Sequence, residues 1–235
     1  MIPLLGPGDD FPPVETALDE PNGLLAAGGG LSVARLRQAY TRGIFPWFSE
    51  GDPVLWWCPD PRMVLRTDAV HVSHSLARRL RRRDFTFTFD QAFAAVIRAC
   101  AAPRRYESGT WLVPAMIRAY ERMHEAGDAH SVELWIEGAL AGGLYGVALG
   151  RMFFGESMFM RKTDASKMAI VLLARQLARW QFPLIDCQMR TDHLASLGAI
   201  ELPRRDFVRA VAVLVGSPPV PSPWIPDADL ISSRG

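Results

Sequence analysis

Lysine is almost missing from this chain: Lys162 and Lys167 are the only two among 26 basic side chains, so the rest are arginine. Any contact with phosphate or carboxylate therefore falls to a planar guanidinium fork rather than to a compact ammonium. Cysteine is as sparse. Cys58, Cys100 and Cys187 lie far apart, which excludes a CxxC metal pair and offers no disulfide framework. No apolar run approaches the roughly 20 residues of a membrane span, and the start lacks a basic-then-apolar leader, so a reducing cytoplasm is the expected compartment. The net charge of +1 leaves no global field, so a nucleic acid would have to meet a local patch. His71, His74, His124, His130 and His193 show no HExxH or other metal spacing. Ser157 is not in a GxSxG elbow, and Gly28-Gly29-Gly30 and Gly142-Gly143 lack the spacing of a dinucleotide or phosphate loop. Nucleotide hydrolysis and hydride transfer are therefore not expected.

What is present is 235 residues of ordinary globular composition, enough for one large domain or two modest ones. Residues 1–62 are rich in Pro, Gly and Trp. Their one clear helix follows Ser32 as N-cap, carries Val33, Leu36, Ala39 and Tyr40 on one face, and stops at Gly43. The aromatic runs around Trp47 and Trp56-Trp57 are bounded by proline and predict loops or short edge strands. From residue 63 the texture becomes regular. Helices are predicted at 74–83, 91–102 (capped by Asp90), 114–126, 164–180 and 205–215, and strands at 131–137, 140–149, 151–154 and 184–187. The expected architecture is α+β: a small N-terminal domain (1–62), then a domain of mixed sheet with packed helices (63–235). The proline-rich tail after Gly216 should lie on the surface as extended chain.

Chemistry is suggested first by acids in apolar company. Glu156 sits in Met152-Phe153-Phe154-Gly155-Glu156-Ser157-Met158-Phe159, and Asp186 with Gln188 in Leu184-Ile185-Asp186-Cys187-Gln188. A carboxylate buried in such runs costs several kcal/mol unless something pairs with it. For Glu156 the alternatives are a pocket for a cationic group or a salt bridge, Arg161 being the nearest candidate. Asp186 and Gln188, two apart on a strand, should share a face and could orient a neighbour, take a proton or bind an ammonium. Arg78, Arg79, Arg81, Arg82 and Arg83 crowd one helix with no interleaved acid, either as a solvated face or as a phosphate-binding surface. Trp47 and Trp111 occupy loop-like positions from which an indole could stack on a base.

Taken together, these residues resemble the bacterial leucyl/phenylalanyl-tRNA–protein transferases. The resemblance runs from about Pro21 to Phe207. It is carried by Pro21-Asn22-Gly23-Leu24-Leu25-Ala26, Arg42-Gly43-Ile44-Phe45-Pro46-Trp47, Leu55-Trp56-Trp57-Cys58-Pro59-Asp60-Pro61-Arg62 and Gly109-Thr110-Trp111. His130-Ser131-Val132-Glu133, Gly142 to Val147, Phe154 to Phe159, Ala165-Ser166-Lys167, Leu184 to Gln188 and His193 to Ala199 follow in order. The resemblance implies a GNAT-like catalytic domain without metal or CoA, and a monomer is expected. It also implies transfer of Leu or Phe, and Met less well, from aminoacyl-tRNA to proteins that begin with Arg or Lys.

On matching positions, Leu144, Phe153, Gly155, Met158, Leu173 and Ile185 would form the aminoacyl side-chain pocket. Trp47 and Trp111 would hold the terminal adenosine, and the arginine helix would meet tRNA phosphates. Glu156 would receive the acceptor's cation, and Asp186 would orient Gln188 beside the attacking amine. Thr191 stands where some relatives carry Asn, and Leu173 where an aromatic occurs, which implies a modest change in amino-acid preference. Two other activities compete: an acyl-CoA-dependent N-acyltransferase and a non-catalytic RNA-binding module. In the first, Glu156 would repel the pyrophosphate; in the second, the acids would have no purpose.

Overall fold

In a computed structural model, which describes residues 2–102 and 112–230, two sheets carry the chain. The first is small and lies in the N-terminal part, with β1 (Leu4–Leu5), β2 (Leu24–Gly28), β3 (Phe45–Pro46) and β4 (Leu55–Trp57) in the order β1-β2-β4-β3. The two proline-bounded aromatic runs thus supply β3, an edge strand, and β4. Trp56 is fully buried and its indole N–H donates to the Gly28 carbonyl at 2.8 Å. Helix α1 (Val33–Tyr40) begins as expected: the Ser32 hydroxyl accepts from the Arg35 N–H at 3.1 Å. It stops where Gly43 takes φ +73°, and a Cβ there would lie 2.9 Å from the Phe207 ring.

The second sheet has seven strands in the order β11-β5-β10-β9-β8-β7-β6. These are β5 (Arg62–Arg66), β6 (Thr86–Phe89), β7 (Ala129–Ile136), β8 (Ala139–Leu149), β9 (Met152–Met160), β10 (Leu184–Asp186) and β11 (Ile200–Leu202). β9 and β10 run parallel and every other pair is antiparallel, so the sheet is mixed and the α+β class holds. The alternation Thr86-Phe87-Thr88-Phe89 was a period-2 signal for β6 that no predicted strand used.

The strands separate two cores. Helices α3 (Phe93–Ala101), α4 (Pro114–Glu125) and α7 (Arg204–Val215) share one core with α1 and the small sheet. Helices α2 (His74–Arg81) and α5 (Ala165–Arg179) build the other. Alternate residues of β9 show the division: Met152 and Phe154 enter the first core and Phe153 the second.

Two expectations need correction. Asp90 does not cap α3, whose N-cap is Ala92. Instead it adopts φ 58°, accepts from the Ser131 N–H at 2.9 Å and meets His130 Nδ1 at 2.7 Å. The proline-rich tail also does more than lie on the surface. It returns Trp224 to the interior, stacked on the His130 ring with centroids 3.7 Å apart. No helix of the described residues is long and apolar enough to cross a membrane.

Candidate active site

β10 ends at Asp186, paired with Phe154, whereas its neighbour β9 runs on to Met160. The sheet therefore parts beside Gly155 and Glu156, and the polar residues singled out in the sequence gather there.

Glu156 owes its position to a bulge. Gly146 pairs with Gly155 and Tyr145 with Ser157, which leaves Glu156 as the one extra residue on β9. A bulge of this kind turns the strand and re-aims a side chain. Gly146 is required on the partner strand, since a Cβ there would lie 2.3 Å from the Phe154 carbonyl oxygen. The inserted Glu156 side chain meets two tyrosines. Tyr40 from α1 donates to its Oε1 and Tyr120 from α4 to its Oε2, each at 2.7 Å, and the two hydroxyl oxygens are 2.6 Å apart. Burial, with a smaller push from Asp186, raises the Glu156 pKa to about 7, against the lowering effect of both tyrosines and of Arg62. Burial likewise raises Tyr40, Tyr120 and Tyr145 well above the usual phenol value, so all three stay neutral hydroxyls. The salt-bridge alternative is corrected: Arg161 lies over the Phe159 ring and donates to the Leu140 carbonyl.

Asp186 sits at the end of β10 with no solvent exposure, gripped by Arg62 from the start of β5. Arg62 Nε donates to Oδ1 at 2.8 Å and Nη2 to Oδ2 at 2.7 Å. Burial alone would weaken the Arg62 charge, but Asp186 more than offsets it and the guanidinium pKa is raised. Arg62 lies over the Phe45 and Phe207 rings, with the guanidinium carbon 4.8 and 4.5 Å from the ring centroids. Its Nη1 is buried with no hydrogen-bond partner among the described residues.

Gln188 does not share a strand face with Asp186, because the strand has ended and Gln188 adopts φ 55°. The bend still brings them together: the Gln188 backbone N–H donates to Asp186 Oδ1 at 3.0 Å and its Nε2 to Oδ2 at 3.3 Å. Asp186 thus accepts four hydrogen bonds. Between Asp186 and Gln188, burial pushes the Cys187 thiol far above its usual range, which removes it as a nucleophile.

The apolar candidates also come together. Leu144, Phe153, Leu173 and Ile185 are buried in one core, and Met158 packs on them. Gly155 lies where β9 passes close to β10: a Cβ there would lie 3.3 Å from the Asp186 carbonyl oxygen. Trp47 is 37% exposed beside β3, leaning on Trp57 at 5.4 Å between centroids. Trp111 lies outside the described residues. In the arginine cluster the helix ends at Arg81, and the absence of a neutralising acid is corrected: Asp84, just beyond it, pairs with Arg79 and with Arg82 (3.1 Å). Arg78 and Arg81 are exposed, and Arg83, at φ 53°, lies past the helix end. Thr191 caps α6 (Asp192–Ser196) by accepting from the Leu194 N–H at 3.2 Å, a role that Asn would fill equally.

Arg62, Tyr40 and Tyr120 were missed as site residues. Arg62 opens an apolar strand directly after a proline, which was the available signal. Tyr40 shows only as one more member of an apolar helix face.

Together these features describe an α+β protein whose mixed sheet parts at a cluster of buried, ordered polar groups. A sequence model described as leucyl/phenylalanyl-tRNA protein transferase matches residues 64–212, and the model of its N-terminal domain matches 29–60. The leucyl/phenylalanyl-tRNA–protein transferase of Thiobacillus denitrificans is 59% identical over 218 residues, 93% of this chain and 96% of the relative. That of Nitrosospira multiformis is 59% identical over 215 residues, 92% and 93% of the two chains. The chain belongs to the leucyl/phenylalanyl-tRNA–protein transferase family, whose members are aminoacyltransferases. Among solved structures the similarity is slight. L-PGS from Bacillus licheniformis gives a TM-score of 0.40 at 12% identity, over 69% of this chain and 55% of that one. A GCN5-related N-acetyltransferase from Kribbella flavida gives 0.36 at 11%, over 69% and 57%.

Proposed function

We propose that this chain transfers Leu or Phe, and Met less well, from aminoacyl-tRNA to the α-amine of proteins that begin with Arg or Lys. The product is a peptide bond that marks the protein as an N-degron, and the work is done in the cytoplasm by a monomer. One observation carries the proposal: where β10 ends beside β9, a tyrosine-ringed carboxylate lies close enough to feel the buried Arg62–Asp186 pair, which also fixes the Gln188 amide.

The chemistry asked of this site is modest. An aminoacyl ester is already activated, so the amine needs orientation and the developing oxyanion needs donors. An α-amine titrates near pH 8, so about a tenth is free base at neutral pH and no strong base is required. Gln188 gives its Nε2 to Asp186, which leaves Oε1 to accept an N–H of the amine and aim its lone pair. Asp186 acts as an orienting group, because its lone pairs are engaged by Arg62 and Gln188. Glu156 receives the guanidinium or ammonium of the acceptor's first side chain. Leu144, Phe153, Met158, Leu173 and Ile185 receive the aminoacyl side chain, and Gly155 leaves room for it. Trp47, with Trp111, stacks on the terminal adenosine, and the arginines of 78–83 meet backbone phosphates.

The test is incubation with radiolabelled leucyl-tRNA and two peptides that differ only in beginning with Arg or Gly. Label is expected on the Arg peptide alone. Equal labelling of both would remove the acceptor role of Glu156, and none on either would remove the transfer itself.

A further inference from the structure

Tyr40, Tyr120 and Glu156 form a closed triangle of oxygen contacts at 2.6, 2.7 and 2.7 Å. A contact that short between oxygens needs a proton in it. Two neutral tyrosines supply two protons, and an ionised carboxylate supplies none. Three contacts and two protons leave one edge with facing lone pairs. A third proton on Glu156 closes the ring, each oxygen group then giving one hydrogen bond and taking one. Among the described residues no other donor reaches this carboxylate.

We propose that the ring of Tyr40, Tyr120 and Glu156 holds an exchangeable proton, which the cationic first side chain of the acceptor displaces when it docks. The proposal rests on the reading that Glu156 receives that cation. The displaced proton passes to bulk buffer, an N–H of the incoming guanidinium donates to the ionised carboxylate, and the edge that the proton closed opens. Tyr40 and Tyr120 are positioning residues in this exchange: they act through Glu156 and set how many protons it needs. A neutral acceptor side chain offers no charge to replace the proton and leaves the ring closed, which adds a rejection step to the simple lack of attraction.

The groups that face Glu156 agree with this balance. Tyr40 comes from α1, Tyr120 from α4 and Tyr145 from β8, all neutral. Arg62 from β5 favours the ionised form of Glu156, and Asp186 from β10 opposes it. Arg62 and Asp186 already neutralise each other through two hydrogen bonds. Burial places the exchange in the neutral range, at about 7.

An infrared pH titration of the free protein reads the proton directly, through the C=O stretch of a protonated carboxyl group. At about pH 6 the wild type should show a buried-acid band that disappears as pH rises through neutrality. The band should be absent from Glu156→Gln and should shift in both Tyr40→Phe and Tyr120→Phe, so its assignment does not depend on one variant folding. An Arg-initiated peptide at about pH 6 should remove the band and release close to one proton per peptide bound, and a Gly-initiated twin should leave it. Two results would overturn the ring proton: no carboxyl titrating near neutrality, or a band unmoved by both tyrosine replacements. A ring-sensitive band that survives saturating Arg peptide would overturn the exchange, and the transfer assay with the same two peptides then tells separately whether the acceptor role of Glu156 stands.

Discussion

Arg62 holds Asp186 through two near-parallel hydrogen bonds of 2.8 and 2.7 Å, in a place where neither side chain touches solvent. Each charge is tolerable there only because of the other. Removing one leaves an uncompensated buried charge, which costs about 3–5 kcal/mol. Arg62→Met should therefore lower the unfolding free energy by about that amount in a denaturant titration, and abolish transfer. The double variant Arg62→Met/Asp186→Leu should recover most of the stability and none of the activity. A single variant that loses less than about 1 kcal/mol would show that the pair is not a structural keystone.

Glu156 makes the opposite prediction for stability. Its pKa is raised from 4.5 to about 7, so the native state holds this proton more tightly than the unfolded chain does. Its contribution to stability is fully present below about pH 4.5 and is lost as pH rises to about 7, where the shift amounts to roughly 3 kcal/mol. Glu156→Gln, which does not ionise, should melt higher than wild type at about pH 8, and the gap should close towards about pH 5. An equal difference at both pH values would contradict the raised pKa. Transfer to an Arg-initiated peptide should fall in the same variant.

Trp47 and Trp56 separate binding from folding. Trp56 is wholly buried, and Trp56→Ala should cost about 3–5 kcal/mol of stability. Trp47 is 37% exposed, so Trp47→Ala should lower the melting temperature less than Trp56→Ala does. It should weaken aminoacyl-tRNA binding by about 1–3 kcal/mol, the worth of one stacked base. Unchanged tRNA affinity in Trp47→Ala would remove this indole from the adenosine site.

Leu173 is fully buried among Leu144, Phe153 and Ile185. Leu173→Phe forces a ring into that packing and should lower stability by about 1–3 kcal/mol. If the aminoacyl side chain enters beside it, the added ring should reduce Phe transfer more than Leu transfer, by about tenfold in the ratio of kcat/KM. An unchanged ratio would place Leu173 outside the pocket.

How much of this was legible depends on whether the signal was local. The α1 cap, the long helices, β7 and β8 follow from periodicity and capping, and they stand close to where the sequence puts them; β9 instead runs on to Met160, six residues past the predicted 151–154. The polar cluster shows as acids in apolar runs, so Glu156 and Asp186 could be picked out without a structure. Their partners could not. Tyr40 and Tyr120 reach Glu156 across 116 and 36 positions, and Arg62 reaches Asp186 across 124. Gln188 was placed beside Asp186 for the wrong reason: a positive φ brings it there, not strand alternation. Met158 and Phe153, five apart, should lie on opposite faces of an unbroken strand. They share a core because the Glu156 bulge inverts the alternation between them. A period-2 pattern holds no trace of that inserted residue.

The guanidinium of Arg62 is covered on one side by Phe45, and Glu156 takes one of its two hydroxyl partners from Tyr40. Both come from the first 62 residues, whereas the two acids come from the rest. If the small sheet and α1 came loose, water would reach a charge that had been dry and two of the three edges of the proton ring would vanish. A fragment beginning at residue 63 would keep both carboxylates but lose Arg62 from one and Tyr40 from the other. For this protein, partial unfolding of the N-terminal part and loss of its chemistry are a single event.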